Sequence, residues 1–261
     1  MRKSNGFNVE FIDNLAAKDM FSFPVEAGIY SKSGSSQINP YKFTHNLICK
    51  SVKNGLRVFE NTKVVNIENY NDYVILYTKN NFKIKAKKVV IAAGYEGVNF
   101  INDDIAKFYK TFTIVTKPVN SFDGWYKKCI IRDDNNPYTY LRTTSDNRII
   151  IGGQDEKFGL INNIINNFSS DDKKYEKLLE KLKNMFPNIK NLEVEYKFSG
   201  LFAVTDDGLP YIGEHKDFPN YYFSMNFGSN GILYAIISGK LITDLYLEKQ
   251  NPNIDLFKFG R

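Results

Sequence analysis

Lys88-Val89-Val90-Ile91-Ala92-Ala93-Gly94 is a short β-branched run that exits through two alanines and a glycine. A strand that is apolar on both faces is what a parallel sheet covered on both sides requires. Small residues at its exit let a ligand or a tight turn approach the backbone. Reading back from it, the turn-forming residues Asn69, Asn71, Asp72, Asn80 and Asn81 separate short strands expected at Arg57 to Glu60, Thr62 to Glu68, Tyr73 to Thr78 and Phe82 to Lys85. Earlier still, Asn39 and Pro40 open a helix whose face carries Tyr41, Leu47, Ile48 and Val52, and Gly55 stops it. The opening to about Ser36 gives no fold signal of its own.

Downstream, strands are expected at Lys110 to Val119, Cys129 to Arg132, Tyr138 to Thr143 and Arg148 to Gly152, a spacing that suits an antiparallel sheet. The stripe Tyr175, Leu178, Leu179, Leu182, Phe186 marks a helix from about Asp172 that Pro187 ends. A long strand from Leu192 to about Ala203, short strands near Pro210 to Gly213 and Tyr221 to Met225, and a last helix from Gly231, expected to be buried, complete the pattern. The fold class is therefore α/β (α+β), in two portions that are interleaved along the chain.

The 261 residues are 43% hydrophobic and 25% charged, a composition that folds. Their net charge of +6 is scattered, and Lys83, Lys85, Lys87 and Lys88 alternate with apolar residues, so it reads as solvated surface rather than a nucleic-acid footprint. Cys49 and Cys129 form no CxxC pair, and His45 and His215 have no ligand spacing, so neither a disulfide framework nor a metal site is signalled. With no signal core in Met1 to Glu10, and with Lys240 and Asp244 inside the most apolar helix pattern, the expectation is a soluble cytoplasmic protein that neither spans nor binds a membrane.

Phe227-Gly228-Ser229-Asn230-Gly231 stands directly before that helix. Its glycines permit close approach, and the N–H groups and dipole of a helix start favour negative charge. Such a start suits a phosphate, a carboxylate or the N1 and C2-carbonyl edge of a flavin, although taken in isolation plain capping is its commoner role. Val64, in the strand expected from Thr62 to Glu68, can offer a backbone edge for an adenine, and Ala93 and Gly94 can let a dinucleotide pass, although taken alone each is an ordinary strand or turn. Tyr140 and Arg142 alternate with Leu141 and share a strand face, where Arg142 can bind an anionic substrate group beside a Tyr140 wall, although a strand arginine taken bare is more often a surface charge.

The order and spacing of Asn39-Pro40-Tyr41-Lys42-Phe43, Thr62-Lys63-Val64, Val90-Ile91-Ala92-Ala93-Gly94, Tyr140-Leu141-Arg142, Arg148-Ile149-Ile150-Ile151-Gly152-Gly153, Asp207-Gly208-Leu209-Pro210-Tyr211-Ile212-Gly213 and Gly228-Ser229-Asn230-Gly231-Ile232 resemble the D-amino-acid oxidase and glycine oxidase superfamily, closest to its gamma-glutamylputrescine-oxidase-like members. The resemblance implies an incomplete Rossmann-like FAD-binding portion, residues 37–100 and 200–250, interleaved with a mostly antiparallel substrate-binding portion, residues 101–199, to which residues 1–36 belong. It also implies FAD contacts at Val64, Ala93, Gly94, Gly200, Gly228, Ser229, Asn230, Gly231 and Ile232, with the ring between the last helix and the substrate sheet. A small amine, amino acid or hydroxy acid would pass hydride to flavin N5, with no dedicated catalytic base.

Two departures qualify the resemblance. Phe202 follows Gly200-Leu201 where amino-acid oxidases of the family place a carboxylate-binding arginine, which argues against a glycine-oxidase-like substrate. The GxGxxG turn that binds the pyrophosphate has no counterpart in these residues. The expectation is weak or absent FAD binding by this chain alone, with self-association or a separate N-terminal chain covering the exposed sheet edge. The alternative is a non-catalytic remnant or assembly module that binds no flavin.

Overall fold

In the computed structural model, which describes residues 1–101, 105–158 and 169–261, the chain divides into two units, each assembled from two separated stretches. One comprises Met1–Gln37 and Phe108–Leu201, the other Ile38–Lys107 and Phe202–Arg261. The elements run β1 (Val9–Asp13), α1 (Asn14–Lys18), β2 (Ala27–Ser31), α2 (Pro40–Lys53), β3 (Val64–Asn69), β4 (Val74–Thr78), β5 (Lys83–Ala86), β6 (Val89–Ile91) and β7 (Lys107–Thr116). They continue with β8 (Ile131–Arg132), β9 (Thr139–Thr143), β10 (Ile149–Lys157), α3 (Ser169–Met185), β11 (Val194–Val204), β12 (Tyr211–His215), β13 (Phe218–Met225) and α4 (Gly231–Tyr246).

The first unit is built on a five-stranded sheet in the order β11-β7-β10-β9-β8. Strand alternation sends Phe112, Ile114, Leu141, Ile149 and Ile151 to one face, where α3 lays Tyr175, Leu178 and Leu182 on them, joined by Phe186 just beyond its end. Leu178, Leu182 and Phe186 are completely buried, and each such side chain contributes about 1.5–3 kcal/mol of transfer free energy. Trp125 stacks on Phe186 at 4.6 Å and donates its indole N–H to Cys129 O, which ties the loop before β8 to this core. The opening segment contributes the antiparallel pair β1–β2 and the short α1, whose first turn is capped by Asp13 accepting from Ala16 N.

In the second unit β13 pairs antiparallel with β12 and parallel with β6, placing β6 at the edge of that sheet. The meander β3-β4-β5 packs against it through Val74, Ile91, Tyr221, Phe223 and Met225. Helix α2 forms where Asn39 and Pro40 place it, with Asn39 accepting from Lys42 N at 3.0 Å. Helix α4 rests on β12 and the C-terminal turn through Leu241, Ile212 and Phe257, and Ser238 Oγ meets Ser224 Oγ at 2.6 Å.

Three expectations change. Arg57 to Glu60 forms no strand, and Leu56, Val58 and Phe59 are exposed; among the described residues no neighbouring backbone completes a ladder there. The apolar run at β6 is not covered on both sides, since Val90 remains 47% exposed on the edge strand. Apolar α4 is not a buried helix: Ser238 and Leu241 are its buried residues, while Ile232, Leu233, Ile236 and Ile237 face outward. No helix among the described residues is long and apolar enough to cross a membrane.

Candidate functional site

Because β6 and β13 run parallel, with Val89, Val90 and Ile91 beside Tyr221, Tyr222 and Phe223, their carboxyl ends open at the same end of the sheet. In open α/β sheets ligands bind outside those ends. Ala92-Ala93-Gly94 leaves β6 and Asn226-Phe227-Gly228 leaves β13. Gly94 and Gly228 have φ of 58° and 56°, the left-handed region that glycine enters without strain. At Gly228 conformation rather than space requires glycine, since an added Cβ would make only a 3.7 Å contact with Ala203 O. Tyr95 follows Gly94 and lies against the Ala203 backbone, and burial pushes its hydroxyl pKa up.

A 3-10 turn, Gly228–Asn230, leads into α4 at Gly231, and no side chain caps the start of that helix. Asn230 N–H donates to Phe227 O at 3.3 Å within the turn. Ser229 and Asn230 are exposed, and Ile232 is partly so. Asn226, which sequence reasoning missed, is 3% exposed, and neither its Oδ1 nor its Nδ2 has a hydrogen-bond partner. No residue-type signal marks it, since burial alone makes it conspicuous. Val64 opens β3 opposite Thr78, ahead of a bulge between Val64 and Asn66. Gly200 lies within exposed β11, and an added Cβ there would touch nothing.

The first unit's sheet turns a second, polar face away from α3. Leu141 points to the core, so Tyr140 and Arg142 point the other way, with Ile150 opposite Arg142 and Gly152 opposite both Tyr140 and Thr113. The Tyr140 ring lies across Gly152, and its hydroxyl meets Thr113 Oγ1 at 3.0 Å. Arg132 stands beside Tyr140 in register, with its guanidinium 4.4 Å from the Tyr138 ring centre.

A bulge in β10, where Gln154 takes φ 57°, brings Asp155 beside Thr111 and Tyr138. Burial raises the Asp155 carboxyl pKa, offset in part by the Thr111 and Tyr138 hydroxyls. The Tyr138 hydroxyl is pushed up to about 12, first by burial and then by the Asp155 charge. Tyr138, Asp155 and Arg132 were not singled out from sequence, although the Gly152-Gly153 pair inside a strand signals a bulge or close approach. His215 is packed among Phe218, Phe223 and Phe259, His45 sits on α2 beside Tyr41, and no group of three His, Cys, Asp or Glu among the described residues could hold a metal ion.

The sequence model of the family described as FAD dependent oxidoreductase matches residues 1–245. Glycine oxidase of Bacillus subtilis is 27% identical over 197 residues, 75% of this chain and 50% of that protein. Gamma-glutamylputrescine oxidoreductase of Escherichia coli is 24% identical over 198 residues, 74% of this chain and 43% of that protein. The chain thus spans about half the length of the curated relatives it matches. Among solved structures, glycine oxidase from Geobacillus kaustophilus superposes with a TM-score of 0.79 at 21% identity, covering 100% of this chain and 69% of the other. L-proline dehydrogenase from P. horikoshii superposes with a TM-score of 0.79 at 20% identity, covering 98% and 69%. A family match over residues 1–245, joined to the shared fold, shows that this chain belongs to the FAD dependent oxidoreductase family.

Proposed function

We propose that this chain carries the flavin-ring and substrate-side parts of an FAD-dependent oxidoreductase that oxidises a C–N or C–O bond of a small amine, amino acid or hydroxy acid. The observation that carries this reading is the pair of parallel strand exits at Gly94 and Gly228 beside an uncapped helix start. The fit to FAD is chemical. Left-handed glycines leave room for a planar ring, the α4 start favours the charge a flavin gains on reduction, and Asn226 holds a buried carboxamide without a partner. When bound, FAD would supply the two-electron acceptor for oxidation of the carbon that bears the amine or hydroxyl.

In this reading Gly228, Ser229, Asn230, Gly231 and Ile232 hold the ring edge through backbone N–H groups at the head of α4. Val64 borders the adenine, Ala93 and Gly94 let the dinucleotide pass, and Gly200 joins the cofactor set. Arg142 binds an anionic substrate group with Tyr140 as its wall, so residues 101–199 serve the substrate and residues 37–100 with 200–250 serve the cofactor. The exposed edge of β6 and the outward apolar row of α4 support a further strand-and-helix segment beside them, joined to this chain or separate, that brings the pyrophosphate contacts. Two free cysteines, one exposed, fit a reducing cytoplasm.

The test is anaerobic. Flavin-loaded protein is mixed with panels of amines, amino acids and hydroxy acids while the yellow absorption is followed. Bleaching by one class supports the proposal and names the substrate. A colourless protein that cannot be loaded with FAD, even beside such a segment, would point to the non-catalytic module that binds no flavin instead.

A further inference from the structure

Asn226 is the first residue beyond β13, two positions before the left-handed Gly228 and five before α4 begins. Its own φ is 61°, a left-handed conformation that asparagine adopts more readily than other side chains and glycine more readily still, so backbone geometry admits asparagine without requiring it over glycine. Burial does not call for it either, because a carboxamide enclosed without hydrogen bonds destabilises the fold. A primary carboxamide presents an acceptor and donors side by side. That pair complements an imide edge, in which an N–H lies between two carbonyls, and the pyrimidine ring of a flavin ends in such an edge.

We infer that the Asn226 carboxamide is the positioning contact for the imide edge of the flavin ring, with its Oδ1 accepting from the imide N–H and its Nδ2 donating to a neighbouring carbonyl. The inference rests on the flavin reading above and adds to it the residue that reads the ring's far edge. The carboxamide is closed off from solvent, so the contact forms as the Gly228–Asn230 turn shifts. That turn is suited to move: Gly228 and Gly231 flank it, no side chain caps α4, and its internal bond is a 3.3 Å contact from Asn230 N–H to Phe227 O. The hydrogen bonds left unmade without ligand are then made with it.

The experiment uses the whole chain together with the strand-and-helix segment proposed above, with FMN, which carries the ring without the adenosine half, and with N3-methyl-FMN, which lacks the imide N–H. Binding is followed by fluorescence quenching for the wild-type chain and Asn226→Gly, and both are melted without flavin. Wild type is expected to bind FMN about tenfold or more tightly than the methylated form. Asn226→Gly is expected to bind both at the weaker level, and to melt at the same or a higher temperature. Equal binding of both flavins by wild type overturns the assignment and leaves the flavin reading standing. So does a markedly lower melting temperature for Asn226→Gly, which would show that the side chain has a structural partner. No FMN binding by wild type overturns both.

Discussion

Gly152→Ala is expected to destabilise the protein through a single neighbour, the Tyr140 ring. A Cβ at Gly152 would lie 2.2 Å from Tyr140 Oη and 2.3 Å from its Cζ, so the ring must swing away. That movement breaks the 3.0 Å contact between the Tyr140 hydroxyl and Thr113. Overpacking of this kind costs about 1–3 kcal/mol and the lost hydrogen bond about 0.5–1.5 kcal/mol. With partial relaxation the sum is about 2–3 kcal/mol, or roughly 4–10 °C in Tm for a chain of this size. Thermal and urea unfolding would be measured for Gly152→Ala, Tyr140→Ala and the double variant. If the ring is the whole cause, Gly152→Ala costs little once Tyr140 is alanine, and the coupling exceeds about 1 kcal/mol. An equal cost in both backgrounds would refute the reasoning. In the flavin-loaded enzyme the same swing would remove the proposed substrate wall and raise KM.

Arg142→Ala is expected to weaken substrate binding about tenfold or more while leaving FAD affinity unchanged, read from KM and flavin titration, because one charge-assisted contact on the substrate side is lost. Arg261→Ala tests the C-terminal clamp, in which Arg261 reaches Asp207 through Nε at 2.6 Å and Nη2 at 2.9 Å and also donates to Leu209 O. Asp207 is 45% exposed, so screening holds the expected loss to about 1–2 kcal/mol at pH 7. The Arg261 guanidinium holds the Asp207 carboxyl well below the usual carboxylate range. A depressed carboxyl stabilises the fold above the unfolded-state pKa of about 4, and that contribution fades as pH falls toward the folded-state value. The gap between wild type and Arg261→Ala in urea should therefore be full at pH 7 and shrink below pH of about 4.

Elements with local signals are legible in the sequence itself. Asn39 and Pro40 announce α2, and the stripe from Tyr175 to Phe186 announces α3, because capping and a 3.6-residue period are properties of neighbouring residues. Arg57 to Glu60 has the composition of a strand yet forms none, since a strand also needs a partner backbone that local sequence does not report. Burial of α4 failed for the same reason: its apolar composition is legible, but what covers Leu233 and Ile236 is not. Alternation places Tyr140 and Arg142 on one face, whereas the fit of the Tyr140 ring over Gly152 follows from the cross-strand register. Asp155 depends on a bulge and Asn226 on enclosure, and neither leaves a mark in residue type or spacing.

In the proposed function these 261 residues hold the ring end of an FAD site, and its pyrophosphate contacts come from a GxGxxG segment they do not contain. Calorimetric titration of FAD into the chain alone, and into the chain joined to or mixed with a strand-and-glycine-turn segment, tests it most directly. Weak or absent binding by the chain alone and tight one-to-one binding when the segment is present are expected. Tight binding by the chain alone, or no binding in either sample, would contradict that proposal.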